Sequence, residues 1–236
     1  MTKGQMLNRE SFISNLSNIL GRQMPKEVAH LELSSKPHLE IYKGFTQAQL
    51  AEEFHKNAQI NKAGSGGKID SFIIEKKDLA KTVAEKLVEH GTGPIIAWND
   101  ERFAQWGLED ALKDAYVWTD ELGRENIDKA LNASYGVCIS DLSLAETASY
   151  TVIDKLGKGR SSNFLPLNYV CIVPQSTIVP RLTQGMQKLH EMSKEGINPA
   201  AINFICGSSC SSDIELNKVW GVHGPIRLTY IIVSDL

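Results

Sequence analysis

Polar residues suited to chemistry gather in three segments in the second half of this 236-residue sequence, each following a short apolar run. The first, SDLSLAETAS at positions 140–149, carries Asp141, Glu146, Thr147 and Ser149. A short connection between strands can aim a carboxylate and hydroxyls at one point, or can simply be a hairpin with a capping Asp. The second, GKGRSSNFLP at 157–166, holds two glycines and Arg160. The planar donor fork of Arg160 suits a carboxylate or phosphate, and the alternative is a surface loop. The third, CGSSCSSDIELNKVWGVHGP at 206–225, follows an apolar run with Gly207, Ser208, Ser209, Ser211 and Ser212, then Asp213 and Glu215. Small residues let the backbone approach a ligand and offer amides and hydroxyls to an anion. A helix starting near Ser212 or Asp213 would add its N-terminal amides. Further on, His223 is flanked closely by Gly221 and Gly224. Such a histidine can act as a general acid or base near neutral pH, or be a turn residue bonded to backbone.

The four cysteines do not read as a metal set. Cys206 and Cys210 are spaced C-x3-C, not the C-x2-C of zinc or thioredoxin-like sites. Cys138 and Cys171 lie inside apolar runs, where a free Cys behaves as a small hydrophobe. No intrinsic metal or cluster is therefore expected, and the thiols should be reduced. The run NKAGSGGK at 61–68 lacks the order of glycines, Lys and Ser or Thr of a phosphate-binding P-loop and reads as a turn.

The elements that must position these loops follow from periodicity. Leu7, Phe12, Ile13, Leu16, Ile19 and Leu20 share a helical face that Gly21 can end. A second helix runs from Thr46, a suitable cap, with Leu50 and Phe54 on one side. Strands are predicted at 71–74, 94–98, 115–118, 136–140, 148–153, 168–173, 201–206 and 228–233, and helices at 77–90, 103–112, 125–133 and 178–195. In the last helix Met186, Leu189 and Met192 should be buried. The alternation argues for an α/β fold, a mixed, mostly parallel sheet flanked by helices. Only seven residues separate 136–140 from 148–153, too few for a helical crossover, so these two should pair antiparallel. Residues 1–60 read as an N-terminal helical extension and 61–236 as the α/β domain.

A net charge of −3 and a pI near 6.1 argue against a nucleic-acid partner. No apolar run approaches a membrane span, and residues 1–22 lack the apolar core of a secretory signal. A cytoplasmic location is expected.

Taken in order, the stretches GVCISDLSLAETASYTVI at 136–153, GRSSNFLP at 159–166, 168–173 and GSSCSSDIELNKVWGVHGPIRL at 207–228 resemble the lactate utilisation protein C family, the LUD domain. The last block is the most specific, and Arg9, Phe12, Ile13 and Leu16 also resemble the start of that family. The sequence departs from the family pattern at Cys210, where Arg is common, at Ser211 and Ser212 for Thr and Ala, at Ala148 for Gly, and at Asn168 for His. The resemblance implies a fold of the NagB/RpiA/CoA transferase-like group. It also implies an accessory role in oxidising L-lactate to pyruvate, beside iron–sulfur lactate utilisation proteins A and B that carry the clusters. Glu146, Thr147, Ser209, Asp213, Glu215 and His223 would then line one pocket, with Arg160, Gly207, Ser211 and Gly224 beside them. Glu146 and His223 would be the catalytic candidates. A stand-alone enzyme acting on an acyl or phosphate compound, with Glu146 as nucleophile or base, and a small-molecule binding regulatory module are the alternatives.

Overall fold

The computed structural model describes residues 7–24, 34–66, 68–155, 157–212 and 217–236. The chain divides into two compact units, 1–37 and 38–236. Among its described residues the first contains the helix α1 (Arg9–Ile19), followed by Gly21 in the left-handed conformation.

The second unit runs α2 (Gln47–Gly64), β1 (Ile69–Ile74), α3 (Lys76–Lys86), β2 (Ile95–Trp98), α4 (Arg102–Gln105), β3 (Tyr116–Trp118), α5 (Glu125–Leu131) and β4 (Tyr135–Ile139). It continues with β5 (Leu142–Leu144), β6 (Ser149–Ile153), α6 (Ser161–Phe164), β7 (Asn168–Pro174), β8 (Ile178–Val179) and α7 (Leu182–Lys194). The last strands are β9 (Ile202–Cys206), β10 (Cys210–Ser211), β11 (Val219–Trp220) and β12 (Arg227–Val233). Among the described residues no helix is long and apolar enough to cross a membrane.

Six strands form a wholly parallel sheet in the order β1-β12-β7-β4-β2-β3. Every residue of β7 and β4 is buried, as expected of inner parallel strands covered on both faces. A second sheet, β8-β5-β6-β9, mixes parallel and antiparallel pairs. Tyr150 and Val152 of β6 belong to the same core as Tyr169 of β7 and Tyr230 of β12. The other face of this sheet, Leu142, Leu144 and Ile153, packs with Val179 and Leu189. Residues of β5 and β6 are therefore buried throughout, despite their many serines and threonines.

The tyrosines of the main core are close neighbours, with Tyr150 stacked on Tyr169 and set edge-on to Tyr230. Burying an aromatic ring contributes about 1.5–3 kcal/mol, provided its hydroxyl finds a partner. Tyr169 donates to Asn163 Oδ1 at 2.6 Å, and Tyr230 donates to the Ala148 carbonyl at 2.7 Å. Burial pushes all three phenols well above their usual range.

Several expectations from sequence are corrected. The runs at 136–140 and 148–153 do not pair. β4 stays in the parallel sheet, the chain crosses to the second sheet at Ser140–Asp141, and β6 pairs with the unanticipated β5 and with β9. The helix expected at 103–112 stops at Gln105 because Gly107 turns left-handed and the Leu108 amide reaches back to the Phe103 carbonyl, a Schellman ending. The expected helix at 178–195 begins instead at Leu182. Pro180 separates it from β8, which pairs with β5. On α7, Met186 is exposed. Gly185 and Leu189 face the sheet, a Cβ at Gly185 lying 3.1 Å from Leu144 Cδ2.

Thr46 caps α2 as expected, in a reciprocal capping box with Gln49. Leu50, Ala51, Phe54 and Ala58 of α2 are part of the main core, so this helix belongs to the unit 38–236, and the chain divides at 37 rather than 60.

Candidate functional site

The connection leaving β2 runs to β3 on one side, and the connection leaving neighbouring β4 leads to the other. Open parallel sheets bind ligands in the crevice outside their carboxyl ends where connections diverge in this way. Asp100 lies two residues beyond the end of β2, and Asp141 two residues beyond the end of β4. They share a cleft of about 530 Å³ with Asn99, Glu101, Arg102, Lys155 and Lys158.

Four of these residues form an ion network. Arg102 Nη2 donates to Asp100 Oδ2 at 2.6 Å and to Asp141 Oδ1 at 3.0 Å, while its Nε donates to Asp100 Oδ1 at 2.9 Å. Lys158 Nζ lies 2.6 Å from Asp100 Oδ2, 3.7 Å from Asp141 Oδ1 and 4.8 Å from the centre of the Trp98 ring. Side-chain exposure is 5% for Asp100, 8% for Asp141, 7% for Lys158 and 25% for Arg102. Burial alone would raise the Asp100 carboxyl, but hydrogen bonds and charges from Arg102 and Lys158 outweigh it and hold the group well below the usual carboxylate range. Burial opposes the charge on Arg102, yet its two aspartates raise its pKa. Asp141 Oδ2 also accepts from the Ile153 amide, which links the cluster to the second sheet.

The loop 157–162 is shaped to deliver Lys158. A Cβ on Gly159 would lie 2.1 Å from Trp118 Cε2, so only glycine fits against that ring. The Gly157 amide donates to Asp120 Oδ2, and Gly157 is left-handed with its Cα beside Asn99. Ser162 Oγ accepts from Trp98 Nε1 and donates to the Gly159 carbonyl, tying the loop to β2. This is the segment in which sequence reading singled out Arg160. Arg160 is 64% exposed and reaches Asp154 at 3.4 Å, outside the network. Asp100, Arg102 and Lys158 were missed. The available signals were the polar WNDER run leaving an apolar strand, and a lysine held between two glycines.

The other sequence-predicted residues fall in separate settings. Glu146 Oε2 accepts from Arg181 Nε at 2.7 Å at the tip of the β5–β6 turn. Thr147 Oγ1 is 2.7 Å from Ser149 Oγ, and the Thr147 carbonyl accepts from Cys206 Sγ at 3.0 Å and from Asn61 Nδ2. Beside it, the Gly207 amide donates to the Tyr230 hydroxyl, which binds the Ala148 carbonyl. Thr147 and Gly207 are thus brought together. Ser209, His223 and Gly224 form a second group. The Ser209 amide donates to the Pro225 carbonyl, and Ser209 Oγ accepts from the backbone amide of exposed His223. Ser211 sits in β10, paired with Val219. Asp213 and Glu215, and a helix starting at Asp213, lie outside the described residues.

The thiols lie in contrasting surroundings. Cys138 and Cys171 are register partners on β4 and β7, both buried, and burial pushes the Cys171 thiol well up. Cys206 and Cys210 are exposed. Among the described residues one trio of metal-capable groups converges, Asp70, Glu89 and His90. Asp70 is already paired with Lys62 and Glu89 with Lys86.

A domain-family model, the LUD domain, matches residues 51–233, and the chain belongs to that family. It is 39% identical over 238 residues to "Lactate utilization protein C" of Macrococcus caseolyticus, covering 100% of both chains. It is 38% identical to the protein of that name from a Geobacillus species, over 100% of this chain and 99% of the relative. The fold is shared with a DUF162 family protein from Deinococcus radiodurans of known crystal structure. That match has a TM-score of 0.56 and 17% identity, over 80% of this chain and 99% of that one.

Proposed function

We propose that this protein serves L-lactate utilisation in the cytoplasm, as a subunit of an iron–sulfur lactate-oxidising system beside lactate utilisation proteins A and B. In this reading the clusters reside on the partners and this chain holds none. The observation that carries the reading is end-to-end similarity, 39% over the full length of both chains, to a relative named for lactate utilisation. The thiol chemistry supports it. Cys138 and Cys171 are sealed inside the parallel sheet on adjacent strands, and burial holds the Cys171 thiol neutral, away from the thiolate form that ligates iron.

The test is anaerobic purification of the tagged protein from its host grown on L-lactate, together with deletion of its gene. The expected result is co-purification of iron–sulfur proteins with lactate-dependent dye reduction, and a deletion strain that no longer grows on lactate. Recovery of the protein alone, with normal growth of the deletion strain on lactate, would overturn the reading.

A further inference from the structure

We propose that the cleft between the ends of β2 and β4 is a binding site for a small hydroxylated anion, one negatively charged group with a hydroxyl nearby, as in a hydroxycarboxylate or a sugar phosphate. This inference stands apart from the lactate reading, since it rests on the cleft alone.

Four ionised groups gathered at low exposure are poor stabilisers. Desolvation of each is costly, and well-packed apolar residues of similar volume do as well or better. Their presence at the point where the sheet's connections diverge is better accounted for by a ligand. The network also leaves donors over. Arg102 commits Nε and Nη2 to the two aspartates, while Nη1 has no partner among the described residues. Lys155, exposed at the same cleft, has no ion pair among the described residues. Arg102 Nη1 and Lys155 Nζ therefore offer two cationic donors to an incoming anion, and a guanidinium edge matches carboxylate or phosphate oxygens equally.

The aspartates define the second half of the ligand. Asp100 is held ionised by its two cations, so it accepts hydrogen bonds and does not donate them. Asp141 Oδ1 is engaged by Arg102 at 3.0 Å and lies 3.7 Å from Lys158 Nζ. A carboxylate oxygen has room for more than one donor, and a ligand hydroxyl is a donor these oxygens accept without adding charge. A bare anion would meet Asp100, Asp141 and Glu101 with no hydrogen to offer them. The volume of about 530 Å³ is within the range of small-molecule sites and accommodates ligands from three carbons to a phosphorylated sugar.

The experiment uses the full-length protein, with calorimetry and protein-observed NMR at low salt. Ligands are compared in pairs that differ only in hydroxyl groups, 2-hydroxybutyrate against butyrate and glycerol 3-phosphate against propyl phosphate, with L-lactate, pyruvate and inorganic phosphate alongside. The hydroxylated member of at least one pair should bind about tenfold or more tightly than its partner. Whether the carboxylate or the phosphate pair responds identifies the source. Lys155→Ala, at an exposed position, should weaken that binding about tenfold while leaving Tm unchanged, and Arg102→Lys should weaken it further. Absence of saturable binding by every ligand, equal binding of both members of each pair, or binding untouched by Lys155→Ala and Arg102→Lys would each overturn the proposal.

Discussion

Replacing Asp100 by Asn removes one negative charge and almost no volume. Asp100 Oδ2 receives Lys158 Nζ at 2.6 Å and Arg102 Nη2 at 2.6 Å. After the change, Lys158, 7% exposed, faces Asp141 alone at 3.7 Å. Breaking one partner out of a buried ion pair costs about 3–5 kcal/mol, because the surviving charge is left in a poor medium without compensation. In a unit of roughly 200 residues each kcal/mol moves Tm by about 2–4 °C, so the expected fall is roughly 6–20 °C at neutral pH. Acid supplies an independent signature. The folded-state pKa of Asp100 lies below its unfolded value of 3.8. A depressed carboxyl contributes stability that is complete above the unfolded pKa and is lost as pH falls towards the folded one. Wild-type protein should therefore lose stability more steeply below pH 3.8 than the Asn variant, and the two should converge in strong acid. Urea unfolding followed by circular dichroism from pH 7 down to strong acid measures both effects. The double variant Asp100→Asn with Lys158→Met, which removes the stranded cation as well, should recover much of the loss. A single-variant loss under about 1 kcal/mol, the range of an exposed pair, with an unchanged acid slope would refute the reasoning.

Tyr230→Phe removes the hydroxyl shared by the Ala148 carbonyl and the Gly207 amide and should destabilise by about 1–3 kcal/mol in urea unfolding. An unchanged midpoint would show that these groups find other partners. Gly159→Ala places a methyl inside the Trp118 ring and should cost about 1–3 kcal/mol, with a change in tryptophan emission as the loop shifts. In the native protein a thiol-specific dye should modify Cys206 and Cys210 while Cys138 and Cys171 react only after denaturation, and rapid modification of all four would contradict the buried pair.

The fold was legible wherever its cause was local. The continuous apolar run of β7 marks an inner parallel strand, and the Thr46 and Gln49 pair marks a helix start, because both signals lie within a few residues of their effect. The two-sheet arrangement was not legible. Ser140 and Ser143 look like loop residues, yet their hydroxyls lie 2.8 Å apart and are satisfied inside the protein where the chain changes sheets. The ion network was hidden for a similar reason. Lys158 meets Asp100 only because β2, β4 and the loop after β6 converge, and no spacing in the sequence encodes that meeting. Asp141 and Glu146 look alike in the sequence, yet only Asp141 enters the network, while the Glu146 carboxylate is taken by Arg181 at the other end of the hairpin.

Insertion of β12 between β1 and β7 has a bearing on how the chain is made. Ile69 pairs with Leu228, so β1 gains its sheet partner only after roughly 160 further residues have been synthesised. At about 5–20 residues per second that is a wait of roughly 8–32 s on the ribosome. Throughout that interval β1 presents unpaired backbone groups on an apolar strand, joined by the facing edge of β7 once Asn168–Pro174 has been made. Helix α2, which precedes β1 and packs against it, is available from the outset to shield one face of the waiting strand. The parallel sheet can close only when the late strand arrives, which makes the nascent chain most vulnerable to self-association just before residues 227–233 emerge.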